Sequence, residues 1–300
     1  MRRAALAAAA AFVLAGALAS GSAVSARVLG REPSYTDRAL GEVPNAAAMT
    51  KLIWAPGLDD GYVPQGLAFI DGAIYLGTYR SEDPKQGRGP CRIYRVHPRT
   101  GLVTGVLDLP PQCGHAGGLA KGRPRHLWVA DTRTIFEIGL APRGGAEIGR
   151  VLRSIGLTGS LKGSFAAGTA DALWLGTYSV VAGARLYKVP FKRLAPGTET
   201  LSAQDAVAAI ALPTKAQGAA FDPAGRLWIT RSGARFGELL RLDQDTGAVL
   251  QRFAMPAGIE DISFEPGGGL WAVSEAGSKR WLGWATFFPV IFRLQPDLLR

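Results

Sequence analysis

Short apolar runs alternate with turn residues along most of the chain, and one pair of positions recurs with a regular period. An aliphatic residue is followed at once by an aromatic at Ile74-Tyr75, Leu127-Trp128, Leu173-Trp174, Leu227-Trp228 and Leu270-Trp271, the aromatics standing 53, 46, 54 and 43 residues apart. Ahead of each pair lies a second apolar run: Gly66 to Phe69, Gly118 to Ala120, Ser164 to Ala166, Gly218 to Phe221 and Asp261 to Phe264. Turn residues such as Ile70-Asp71-Gly72 and Asp222-Pro223-Ala224-Gly225 separate the two, so each unit predicts a hairpin. A third segment follows in every copy, as at Ile93 to Val96 and Leu239 to Leu242, with the period-two alternation of a strand. A fourth follows four times, for example Leu102 to Leu109 and Ala248 to Phe253, and the fifth copy lacks it.

Repeated four-stranded units of this length are the signature of propeller blades, which stack around an axis and leave few strand edges open. The expectation is therefore an all-β chain folded as a five-bladed β-propeller, with room at either end for a sixth blade. Met49 to Ala55 is the donor expected to supply the missing outer strand and close the ring. The organisation expected is a signal peptide over 1–26, an N-terminal arm over 27–48 and one propeller domain over 49–300.

Composition narrows the class. With 47% hydrophobic and 19% charged residues the chain can bury a core, which excludes disorder. Arg2 and Arg3, the apolar run from Ala4 to Ala19 and the small residues ending at Ala26 fit a cleaved secretory signal, so the mature protein is expected to be secreted or periplasmic. Cys91 and Cys113 are then expected to form a disulfide. The formal charge of +10 is spread over dispersed arginines and lysines, which argues against a nucleic-acid partner. No later stretch is long enough to cross a membrane as a helix, and a monomer is expected.

Antiparallel strands put the links between second and third strands on one face with the links between blades. Those loops are long and variable, whereas the opposite face carries compact turns, so the first face is the one assigned to function. Residues entering the inner strands or leaving the second ones should converge there. These give Gln65, Tyr79, Lys162, Tyr178, Gln217 and Arg231 as ligand-binding candidates and His115, in a glycine-flanked loop, as a candidate acid or base. Asp131, Glu260, Asp261 and Glu275 are candidate ligands of a divalent cation such as calcium, although neighbours in a strand point to opposite sides and Glu260 and Asp261 should not share one ion. Trp281, Trp284, Phe287 and Phe288 crowd the longest loop and are expected to pack down onto the last blade.

Pro64-Gln65-Gly66-Leu67-Ala68-Phe69 and Gln217-Gly218-Ala219-Ala220-Phe221-Asp222-Pro223-Ala224-Gly225-Arg226-Leu227-Trp228 resemble the blades of gluconolactonase (SMP-30-like), NHL and streptogramin-lyase propellers. The Gln-Gly-Leu start and the five blades are also similar to plant-type glutaminyl cyclases. The gluconolactonase likeness implies a divalent metal at the channel, for which Glu260, Asp261 and Asp131 would stand as ligands. Two readings of function follow. One is a protein that binds a small polar ligand, a glycan or a peptide at the channel mouth. The alternative is a metal-dependent hydrolase, lactonase or lyase in which His115 moves a proton.

Overall fold

The structure, a computed structural model, describes residues 27–142 and 144–300; the signal segment expected over 1–26 lies outside them. Five small antiparallel sheets form the predicted ring, and there is no sixth among the described residues. Blade 1 runs Tyr62–Ile70, Ala73–Arg80, Cys91–Val96 and Val103–Asp108 from the axis outward. Blade 2 is Gly118–Lys121, His126–Asp131, Thr134–Leu140 and Gly149–Leu157; blade 3 is Phe165–Gly168, Ala172–Gly176, Arg185–Pro190 and Ala208–Ala211. Blade 4 is Ala216–Phe221, Leu227–Gly233, Phe236–Leu242 and Val249–Met255. Blade 5 takes Ile259–Phe264, Leu270–Ser274 and Val290–Leu294 from the end of the chain and its outer strand, Met49–Trp54, from the beginning. The ring is closed by the chain's own front segment, as the sequence predicts.

Side-chain packing explains the aliphatic-aromatic pair. In an isolated sheet two neighbouring residues of a strand would need opposite environments, but here both faces of a blade are covered by its neighbours. Accordingly Leu227 and Trp228, like Leu270 and Trp271, are all buried. Three of the four tryptophans reach across to a phenylalanine at the end of the next inner strand or one residue short of it: Trp174 to Phe221, Trp228 to Phe264 and Trp271 to Phe69, with ring centroids 5.1 to 6.2 Å apart. The turns before these tryptophans matter as well. Asp222 Oδ2 and Glu265 Oε2 each accept the indole N–H of the tryptophan six residues on, at 3.0 Å.

Blade 3 departs from the pattern. Its outer connection carries a two-residue strand, Thr200–Leu201, that pairs in parallel with Gly149–Leu157 and gives blade 2 a fifth strand. The N-terminal arm also pairs, Leu29 bridging in parallel to Ile53 on the outer edge of blade 5. Both additions cover edges that would otherwise present unpaired backbone groups.

Candidate active site

The residues that enter the inner strands and leave the second strands enclose a cavity of about 580 Å3, to which all five blades contribute. It lies on the face assigned to function by loop length. Of the candidates, Gln65, Tyr79, His115, Lys162, Tyr178, Gln217, Glu260 and Glu275 line it. Arg231, Asp131 and Asp261 do not.

Glu260 is the second residue of the inner strand of blade 5 and Glu275 follows its second strand, so the pairing of Ile259 with Ser274 brings the two residues together. They are 2% and 7% exposed and hydrogen-bond to each other. Gln65 Nε2 and Trp281 Nε1 both donate to Glu275 Oε2, at 2.9 and 2.6 Å, and Gln217 Nε2 donates to Glu260 Oε1 at 3.2 Å. Burial pushes the Glu260 carboxyl well above the usual carboxylate range, and the charge on Glu275 adds to that. Burial also pushes Glu275 up, to about 7, against the hydrogen bonds from Trp281, Glu260 and Gln65. Two carboxylates cannot hydrogen-bond without a proton between them. Near neutral pH the pair therefore carries at most one negative charge, and Glu275 is the member that ionises first. Tyr178 faces the pair, and after burial the charges of Glu260 and Glu275 raise its phenol.

His115 stacks on Tyr79 with ring centroids 4.6 Å apart. Its Nδ1 lies 3.1 Å from the Gly87 carbonyl, which can only accept, so Nδ1 carries the proton and Nε2 keeps its lone pair. Burial pushes its pKa below the usual histidine value, so the ring is neutral at pH 7.

The loop that carries His115 is held from two sides. Asp131 is not a wall of the cavity; its carboxylate accepts the backbone N–H groups of Gly114, His115 and Ala116 at 2.6 to 3.2 Å. The Cys91–Cys113 disulfide is present and joins the third strand of blade 1 to the same loop. Replacing both cysteines with alanine is expected to lower stability by about 3 kcal/mol in urea titration and to loosen this loop, visible as faster amide exchange at Gly114 to Ala116.

Backbone strain gathers at the same place. Ala116, Thr132 and Lys215 have φ of 50°, 54° and 60°, a region that residues other than glycine rarely adopt, and Thr132 and Lys215 line the cavity. Strain of this kind persists where the surrounding structure imposes it, commonly at functional sites.

The other two candidates lie outside the cavity lining. Asp261 is fully buried beneath the cavity, where its Oδ2 accepts from the backbone N–H of Leu67 and of Leu119, both at 2.9 Å. Arg231 turns outward, donating to Thr214 O and to Glu238 Oε2 at 3.0 Å each and covering the Phe236 ring. The four carboxylates proposed as metal ligands thus do not meet. Only Glu260 and Glu275 share a site. Among the described residues the one cluster of three potential ligand groups is Cys91, Cys113 and Asp131, whose sulfurs are joined in the disulfide. Asn45, the sole asparagine, donates to the carbonyls of Ala254 and Arg300 and does not line the cavity. A hard divalent cation asks for six or more oxygens, and the residues present do not fit one.

The cavity residues beyond the sequence-based set include Lys215 and Arg280, with Trp281 and Trp284 as walls rather than caps. Phe287 and Phe288 pack down as expected, but Trp281 and Trp284 stack on each other 4.7 Å apart at the cavity wall. The length of their loop was the available signal. Lys215 stands two residues before Gln217, as Lys162 stands two before Ser164, and repeat register alone would have found it.

No protein-family model matches the chain, and no curated protein matches it. Among solved structures, the glutaminyl cyclase of Myxococcus xanthus superposes with a TM-score of 0.54 at 14% identity, over 78% of this chain and 90% of that one. The PQQ-bound aldose sugar dehydrogenase of Streptomyces coelicolor gives 0.48 at 15% identity, over 78% and 94%. A catalytically inactive virginiamycin B lyase of Staphylococcus aureus gives 0.38 at 15%, over 75% and 81%. The fold is a β-propeller.

Proposed function

We propose that this chain is an enzyme that uses the Glu260–Glu275 pair for acid-base chemistry at a carbonyl group of a small substrate. The observation that supports this reading is two buried carboxyls set side by side at the cavity wall, held there by Gln65, Trp281 and Gln217. A cavity built only to bind has little use for such a pair, because burial disfavours both charges and no salt bridge reaches either carboxyl among the described residues. A carbonyl reaction uses both members. The ionised Glu275 accepts the proton of the attacking water or amine as the bond to carbon forms. Glu260 gives its own proton to the leaving group as the other bond breaks. One transfer between the two carboxyls restores the starting state. His115 Nε2, with its free lone pair, accepts a hydrogen bond from the substrate.

The likeness to the Myxococcus xanthus glutaminyl cyclase makes an amide carbonyl the first class to test. On the same footing we place the enzyme outside the cytoplasm, supported by the signal-like pattern of residues 1–26 and by the disulfide. The test is a panel: N-terminal glutaminyl peptides read by ammonia release, δ-lactones read by proton release, and p-nitrophenyl esters read by absorbance. Turnover of at least one class is expected, and it should not change when the assay contains EDTA. Panel members that bind the cavity while none is turned over would sink the proposal.

A further inference from the structure

Arg280 is a buried cation without a counter-ion. It is 8% exposed, it lines the cavity, and its guanidinium donates to the Tyr79 hydroxyl and, at 3.0 Å, to the Pro84 carbonyl. Those are two bonds for five N–H donors, and its Nε is buried with no partner at all. No salt bridge reaches it among the described residues, and the same is true of Lys162 and Lys215 in the same cavity. Three cations therefore line a cavity whose carboxyl pair carries at most one negative charge. A buried charge left unpaired is unfavourable, so such a group is retained where something else supplies its partner.

The shape of the corner says what that partner is. The guanidinium lies over the Trp281 ring, 4.3 Å from its centroid, and 5.4 Å from that of Tyr79. Its edge bonds Tyr79 and Pro84 but leaves the Nε–H unmet, and a flat guanidinium edge matches a planar carboxylate better than a tetrahedral anion. Trp281 also fixes the distance to the chemistry, since its indole N–H donates to Glu275 while its face carries Arg280. The anionic group and the reacting carbonyl are thus about one indole apart, the separation found in an amino-acid-sized molecule.

We propose that the substrate carries a carboxylate, bound by Arg280 and drawn in by Lys162 and Lys215, which deepens the acid-base reading above. The probes are N-acetylglycine, its neutral amide and inorganic phosphate, titrated into the protein by calorimetry at low salt and pH 7. N-acetylglycine should bind at least about ten-fold more tightly than N-acetylglycinamide, since a hydrogen bond to a charged group accounts for roughly that factor or more. Arg280→Met should abolish that preference, and Arg280→Lys should restore only part of it. Should Arg280→Met fail to fold, the double variant Lys162→Met with Lys215→Met, at half-buried positions, should still weaken N-acetylglycine several-fold and leave the amide unchanged. Equal binding of acid and amide, or phosphate binding more tightly than N-acetylglycine, overturns the proposal. Binding is read without turnover, so carboxylate recognition that survives in a protein inert toward carbonyls would overturn the catalytic reading alone.

Discussion

Replacing Asp261 by alanine is expected to destabilise the fold by about 4 kcal/mol, although the side chain touches neither the cavity nor solvent. The reason is its place on the axis. Asp261 belongs to the inner strand of blade 5, and its Oδ2 accepts the backbone N–H of Leu67 from blade 1 and of Leu119 from blade 2. Blade 4 closes in as well: a methyl group built on Gly218 would stand 2.6 Å from the Asp261 Cα, so only glycine lets that backbone approach. One oxygen atom ties three inner strands together where they have no direct pairing. Alanine would leave two donors in a space water does not reach, each costing about 1 to 3 kcal/mol, with a small void added. Asparagine keeps one acceptor oxygen and should lose less. Urea midpoints of the two variants decide it, and an alanine variant within about 1 kcal/mol of the parent would show that the axial oxygen is dispensable.

The hub was hidden in the sequence for the same reason that made the ring visible. Blade count, strand order and the closing strand follow from local periodicity, and Leu227-Trp228 or Leu270-Trp271 report that periodicity directly. A role on the axis depends on side-chain direction at one residue. Strand alternation separated Glu260 from Asp261 correctly, yet it could not say which of the two faced the cavity. Asp131 misled for a related reason: it stands at the mouth by register, but three backbone N–H groups of the His115 loop turn its carboxylate inward. Arg231 was drawn outward by Glu238 and Phe236, partners in the next strand that the register of the mouth does not include. Arg280 lay in a loop with no repeat at all, where length was the only guide.

Changing Glu275 to glutamine should raise stability above pH 7 and remove most of the catalytic rate. In the folded state burial raises the Glu275 carboxyl to about 7, while in the unfolded chain it titrates near the ordinary 4.5. The folded state thus binds the extra proton between these values. Its stability is full below pH 4.5, falls as pH rises through the window and levels off above 7. Over that window the loss is roughly 3 kcal/mol, from about 1.4 kcal/mol for each pH unit per proton. Glutamine is neutral at every pH, and its carbonyl oxygen can still accept from Gln65 and Trp281. The variant should therefore match the parent near pH 4.5, exceed it by about 3 kcal/mol at pH 8 and show a flatter profile between. The rate should move the other way. Loss of the base is expected to reduce turnover by about 10²- to 10⁴-fold and to abolish the rise in parental activity with pH through about 7. Glu260→Gln should lose rate comparably, since the acid's proton is then missing, and its folded state should also gain stability at high pH. Chemical denaturation at pH 4.5, 6 and 8 reads the first half of this prediction without any substrate. A Glu275→Gln protein no more stable than its parent at pH 8 would mean that the fold does not raise the Glu275 carboxyl, and the acid-base reading would lose its foundation.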